Sequence, residues 1–337
     1  MVWRLFTIWP LKIVMKKNNF EIILSPLAGV TDRAFRSICN DYDMDYAYTE
    51  MVSAKGLLYL DKNSKELLKK YPGETNIGVQ IFGSEPEIMA DVIKKIVNNK
   101  GLFNSIDINM GCPAPKIVKN GEGSALMKNP ELVKKIIYTI SEATDLPVSA
   151  KFRLGFDENS INYLEIGKIC EDYGASKVTL HARTRKQMYS GKADWNAIKQ
   201  LKESLNIPVV GNGDIFTPQD VVKMVEFTGV DAVAIGRGAM GNPFLFKQIK
   251  QYMETGNYDE ISLDEIIQTI FKHYHLLLEY KGDRIAINEM RKHIAWYLKG
   301  FRGSNNLKNK INVTKSKEDV FDLINTFREE YKLNEQA

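Results

Sequence analysis

Short runs rich in β-branched and aromatic residues alternate with stretches whose apolar positions recur every three to four residues. The runs read as strands at 22–25 (IILS), 46–50 (YAYTE), 77–82 (IGVQIF), 105–109 (SIDIN), 148–152 (VSAKF), 177–182 (KVTLHA), 208–213 (PVVGNG) and 232–237 (AVAIGR). Helical periodicity falls between them at 31–40, 86–98, 130–143, 161–173, 195–204 and 218–227. Asp145-Leu146-Pro147 and Asn206-Ile207-Pro208 turn helix into strand in the same style. Eight strands alternating with helices over about 225 residues match the size and rhythm of a (β/α)8 TIM barrel, where a doubly wound sheet rarely needs eight units. Such a barrel carries its chemistry at the C-terminal ends of the strands. The unusual residues fall there: Glu50, Gln80, Asn109, Lys151, Arg153, His181, Arg183, Asn212 and Arg237 each end a strand or follow one directly.

The barrel closes near residue 240, and 21–250 is its expected extent. From 260 to 335 the pattern is helical only, in SLDEIIQTIFKHYHLLLEYKG, RIAINEMRKHIAWYLKGF and SKEDVFDLINTFREEY, which reads as a small all-helical C-terminal domain. Ser262 with Glu265 forms a capping box, Ser316 is a second N-cap, and Gly282 is a stop. Residues 281–310 hold eight cations against Asp283 and Glu289, a net +6 in a chain whose total is +4. The positive charge is therefore local. Arg284, Arg291, Lys292 and Lys299 share one side of a helical wheel, and a phosphate-binding surface is the functional reading of that side, against a merely solvated face.

With 337 residues, 44% of them hydrophobic and 26% charged, the chain suits one large and one small domain. No apolar run approaches the ~18 residues of a membrane span. Residues 1–20 are set apart as an extension, and a start at Met15 would leave residues 1–14 without function. Three cysteines and no CxxC pair make neither a disulfide framework nor a zinc site, which fits a reducing cytoplasm. Cys39 and Cys170 read as small hydrophobes on helices. Cys112 differs: Gly111 and Pro113 forbid regular structure around it, so its thiol belongs to a loop directly after a strand.

Two glycine-rich stretches, GNGDIFTP (211–218) and GRGAMGNP (236–243), follow the last two strands, where barrels commonly seat a phosphate. No GxGxxG follows a first strand, so no Rossmann dinucleotide domain is read, and no P-loop is present. A phosphate-bearing cofactor at this site in a barrel suggests FMN. Gln80 then offers a donor and an acceptor to the flavin's pyrimidine edge, Lys151 a cation, and His181 an imidazole at the rim. No metal site is expected: His273 and His275 are two apart and do not share a helix face, and His293 lies in the basic helix.

LSPLAGVTDRAFR, TEMVSAKGL, VQIFGSEPE, DINMGCPAPKIVKNGEGSALM, SAKFRLGF, LHARTRKQMYSGKADW, VVGNGDIF and AIGRGAMGNPFLF, in this order, resemble the bacterial tRNA-dihydrouridine synthases from about residue 21 to 247, and less specifically to about 325. The resemblance implies an FMN enzyme that uses NADPH to reduce the uracil C5–C6 double bond in tRNA. It places Pro26, Leu27 and Ala28 along the flavin, with Leu27 where methionine is commoner. Gln80, Lys151 and His181 contact the ring, and Asn212, Gly213, Asp214, Gly236 and Arg237 the phosphate end. Asn109 and Arg153 fall to the target uracil and Cys112 to the proton donor; Arg183, which flanks His181 at the rim, is expected at the substrate as well. An RNA substrate also favours Arg284, Arg291, Lys292 and Lys299 as its contacts. A cytoplasmic monomer is expected. Ribosomal RNA as substrate, a free pyrimidine as in dihydroorotate dehydrogenases, and a non-catalytic RNA-binding protein on a retired barrel stay open at this point.

Overall fold

The computed structural model describes residues 20–98 and 101–336. Its strands are β1 (Glu21–Leu24), β2 (Tyr46–Tyr48), β3 (Val52–Ser53), β4 (Ile77–Phe82), β5 (Ser105–Met110), β6 (Val148–Arg153), β7 (Lys177–His181), β8 (Val209–Asn212) and β9 (Ala232–Ile235). They lie side by side in the order β2-β1-β9-β8-β7-β6-β5-β4, and β2 pairs with β4 to close the ring. Every pairing is parallel, and β3 is a two-residue addition along the end of β4. The eight expected strands are thus the barrel staves. An alternative start at Met15 lies outside the described residues.

The period-two pattern of each strand sorts its residues between two cores. Along β5, Ile106, Ile108 and Met110 join the apolar layer between strands and outer helices. Ser105, Asp107 and Asn109, which alternate with them, face the barrel interior. The interior begins apolar, with Ile23, Tyr46, Tyr48, Val210, Ala232 and Ala234 packed together. Tyr46 Oη bonds Ser105 Oγ at 2.7 Å, and above that level the lining turns polar. Burying that much polarity is tolerable only where each group finds a partner or faces a ligand.

The connecting helices form where expected, including Pro130–Ser141, Tyr163–Asp172, Trp195–Ser204 and Pro218–Thr228. The 86–98 segment is an α-helix only over Pro86–Val92 and widens into a π-helical turn at Ile93–Val97. Cys39 and Cys170 are fully buried on outer helices.

Four helices follow the barrel: Leu263–Lys281, Asp283–Tyr297, Ser304–Val313 and Lys317–Gln336. The third was not anticipated. Their apolar faces meet in a core of their own that includes Ile270, Leu277, Met290, Ile294, Leu307 and Ile324, and this core also takes in Ala34 and Phe244 from the barrel side. Ser262 caps the first helix through the Glu265 N–H at 3.2 Å, and Gly282 ends it. At the joint, Phe35 packs on the rings of His273 and His293, which are themselves 4.5 Å apart. Burial keeps both imidazoles neutral, with His273 brought down to about 4. Gly241 (φ +70°) touches the second helix so closely that a Cβ there would lie 2.3 Å from the Trp296 carbonyl carbon. No helix among the described residues is long and apolar enough to cross a membrane.

Candidate active site

Strand register assembles the site. Asn109 lies opposite Lys151, Arg153 opposite His181, and His181 opposite Asn212. These inward-facing residues end four successive strands and surround a cavity of about 570 Å³, within the span typical of cofactor and substrate pockets. Pro26, Leu27 and Ala28 line it, as do Gln80, Cys112, Gly213, Asp214, Gly236 and Arg237.

Two groups in this cavity have chemistry left over. Lys151 is half-buried, and its ammonium donates to a neutral acceptor, Asn212 Oδ1, at 3.0 Å. Burial, with Arg153 beside it, brings its pKa down to about 8. A desolvated cation with no carboxylate in ion-pair contact, Asp107 acting on it only at longer range, suits an electron-rich ligand. His181 is held neutral by burial and by the cations Lys151, Arg153, Arg183 and Arg237 around it. At one end of the cavity Asp214 binds Arg237 Nη2 at 3.0 Å, and the guanidinium stacks 4.9 Å from the Tyr189 ring. This cation, with the glycine turns of Gly213 and Gly236 beside it, is the donor set a phosphate needs. The residues therefore fit a phosphate-bearing planar cofactor.

Cys112 sits half-buried on the loop after β5, at the same cavity. Its N–H donates to Asn109 Oδ1 at 2.9 Å, and its carbonyl accepts from Ser124 N at 3.1 Å and Ser124 Oγ at 2.8 Å. Gly123 (φ +59°) leaves room for this turn, because a Cβ there would stand 3.0 Å from Cys112 Cβ. Burial raises the thiol pKa, and the Ala114 N–H and Arg153 only partly offset it. The thiol is therefore protonated at neutral pH.

Some expected roles change with placement. Arg183, expected at the substrate, does not line the cavity. It is 1% exposed and is committed to Asp214 at 2.7 Å and to the carbonyls of Ser190 and Gly191. A strand-end arginine followed by a loop with its own carbonyls turned inward is drawn to them rather than to the ligand. Asp214 in turn acts on cations: burial raises its carboxyl, but the Ala193 N–H, Arg183 and Arg237 outweigh this and hold it low. Arg153 does line the cavity, yet its guanidinium also braces the loops through Gly111 O, Thr184 O and Met188 O, at 2.8 to 2.9 Å.

The four helical cations do not form one surface. Arg291 is half-buried and donates to Thr314 O at 2.8 Å, at the end of the third C-terminal helix. Lys292 reaches across to Gly29 O, on the turn next to Pro26–Ala28, while Glu50 accepts from the Gly29 N–H. Only Arg284 and Lys299 are exposed. Among the described residues no group of three or more metal-ligating side chains is found.

Sequence reasoning missed several lining residues. Met188 and Tyr189 follow β7, Phe216 follows β8, and all three are more than 40% exposed at the mouth. Trp296 comes from the helical domain to form part of the wall. Buried Asp107, two positions before Asn109 on the same face of β5, was also missed; the alternation S-I-D-I-N carried that signal. Its Oδ2 accepts from Gln80 Nε2 at 2.7 Å.

Comparisons with known proteins bear on family and fold. The profile of the dihydrouridine synthase (Dus) family matches residues 23–334. A tRNA-dihydrouridine synthase B of Shewanella oneidensis is 43% identical over 82% of this chain and 86% of its own length. One from Vibrio parahaemolyticus is 40% identical over 85% and 89%, and a probable tRNA-dihydrouridine synthase 1 of Synechocystis is 38% identical over 94% and 90%. The barrel superposes on histamine dehydrogenase from Rhizobium sp. 4-9 with a TM-score of 0.51 at 15% identity, over 81% of this chain and 49% of that one, a likeness of fold. A (β/α)8 oxidoreductase is the class these findings define. The chain belongs to the dihydrouridine synthase family.

Proposed function

We propose that this enzyme reduces the C5–C6 double bond of uridines in tRNA to dihydrouridine, with FMN in the barrel cavity and NADPH as electron donor. The observation that carries the reading is a protonated, half-buried Cys112 in the same cavity as the unpaired Lys151 ammonium and neutral His181. Arg237 and the turns at Gly213 and Gly236 hold the cofactor phosphate. Gln80 and Lys151 would offer polar groups to the ring, and Pro26–Ala28, which line the same cavity, would pack beside it. When bound and reduced, the flavin supplies hydride to uracil C6. Cys112 donates its Sγ–H proton to C5 as negative charge develops there, and the thiolate takes a proton back from solvent. Asn109 and Arg153 face the uracil, with Arg153 also fixing the Cys112 loop through Gly111.

A uridine must leave its stack to reach the thiol, at a cost of a few kcal/mol. The exposed rings of Tyr189 and Phe216 at the mouth offer stacking surface to an extruded or neighbouring base. Arg284 and Lys299 are placed to meet backbone phosphates.

The test is reconstitution. Purified protein should show a flavin spectrum and, with NADPH, convert uridine to dihydrouridine in an unmodified tRNA transcript, read by nucleoside mass spectrometry. A flavin-loaded protein that oxidises NADPH with dihydroorotate or a free pyrimidine and leaves tRNA unchanged would overturn the reading.

A further inference from the structure

The mechanism above does not use Asp107, a buried carboxyl of the barrel interior. Asp107 is 1% exposed and does not line the cavity. Its Oδ1 accepts from Ser149 Oγ at 2.7 Å, and its Oδ2 from Gln80 Nε2 at 2.7 Å. Gln80 Oε1 accepts from Asn109 Nδ2 at 2.8 Å. Asn109 Oδ1 accepts from the N–H groups of Gly111 at 3.1 Å and Cys112 at 2.9 Å. We propose that Asp107 is a positioning residue: it sets the direction of every hydrogen bond in this chain and thereby fixes the loop that presents the Cys112 thiol.

A side-chain amide can face either way, offering oxygen or nitrogen to the same neighbour. Gln80 and Asn109 are both amides, so the pair alone has two self-consistent arrangements. The carboxylate has no such freedom, because the oxygen it turns to Gln80 only accepts. Gln80 must therefore present its NH2 to Asp107 and its oxygen to Asn109. Asn109 must then present its NH2 to Gln80 and its oxygen to the two backbone N–H groups. In the reversed arrangement the Asn109 NH2 would face those donors, and the loop would lose both anchors. A proton on Oδ1, toward Ser149, leaves Oδ2 an acceptor, so in that acid form the direction is the same as in the carboxylate. Strand register supports the geometry: Gln80 pairs with Asp107, and Asp107 with Ser149.

The consequence for catalysis rests on the reading of Cys112 as proton donor, but the positioning itself is measurable without RNA. Asp107→Leu keeps the approximate side-chain size and removes the acceptor. Asp107→Ser leaves a small polar group that does not span to Gln80, and serves if the leucine variant fails to fold. Asp107→Asn can turn its oxygen to Gln80 and its NH2 to Ser149 Oγ, an orientation favoured by the two backbone N–H groups on Asn109 Oδ1 at the far end of the chain, so it keeps the direction while losing charge. In flavin-loaded protein, deuterium uptake at the Gly111 and Cys112 amides should rise about tenfold in the leucine and serine variants, the factor that losing one ordinary hydrogen bond gives. Alkylation of Cys112 by iodoacetamide should quicken with it, and the asparagine variant should stay within about twofold of the parent. On tRNA, kcat should fall in the same order with KM unchanged. Parental protection in both the leucine and serine variants would overturn the proposal. So would an asparagine variant as unprotected as the leucine one, since charge and not direction would then be at work. If tRNA proved not to be the substrate, the exchange and alkylation results would stand by themselves.

Discussion

Cys112 shows how far a single residue can be read. Its neighbours Gly111 and Pro113 made it a loop thiol in the sequence, and the structure adds that it is half-buried with its pKa raised. An acid acts in its protonated form, and a raised pKa extends that form to higher pH. Single-turnover uridine reduction by flavin-loaded, prereduced enzyme should therefore be flat through neutrality and decline only above the ordinary thiol value of about 8.5. A decline centred near pH 7 would mean that another group supplies the proton. Lys151 titrates lower, at about 8 in the flavin-free protein, so flavin affinity should weaken as pH rises past that value, which equilibrium dialysis can follow. Asp107 was less legible than Cys112. Its importance lies in which atoms meet across neighbouring strands, and a one-dimensional pattern shows only which face it shares.

At the scale of elements, the barrel staves were legible because their period-two and helical patterns alternate cleanly. What escaped was small structure inside loops: β3, the Pro115–Lys119 helix and the 3-10 turn Gly123–Lys128. These pieces are held by tertiary contacts rather than propensity, and they shape the site. Gly123 is the sharpest case. Gly123→Ala would force a Cβ into a left-handed position, at about 1–2 kcal/mol, and press it against Ile117 Cγ2 at 2.9 Å and the Cys112 backbone. The variant should unfold at lower denaturant and lose kcat while keeping its flavin. Parental stability in a urea melt would show that the turn yields freely.

The whole molecule joins two cores at Phe35, Gly241 and Lys292 and through the ion pairs Lys281–Asp32 and Lys272–Asp41. The charge excess of the helical domain suggested one RNA face, but the structure divides its cations by task. Arg291 and Lys292 serve protein carbonyls, and wheel positions could not reveal this because the partners come from Thr314 and from the barrel turn at Gly29. Lys292→Ala should therefore weaken flavin retention and leave the salt dependence of tRNA binding as it is. Arg284→Ala and Lys299→Ala should each lower the slope of log K against log salt by about one, with flavin binding intact. A reduced slope in the Lys292 variant, with its flavin undisturbed, would return that lysine to the RNA surface.

The central claim is that this cavity reduces uridine in tRNA with Cys112 as acid. The most direct measurement is dihydrouridine in tRNA and in ribosomal RNA from a strain lacking the protein, complemented with the parent or with Cys112→Ala, in a background free of other synthases. The account predicts loss from tRNA, restoration by the parent, and a Cys112→Ala protein that carries flavin but restores almost none, its rate down by roughly 10²–10⁴. Full restoration by Cys112→Ala, or loss confined to ribosomal RNA, would contradict it.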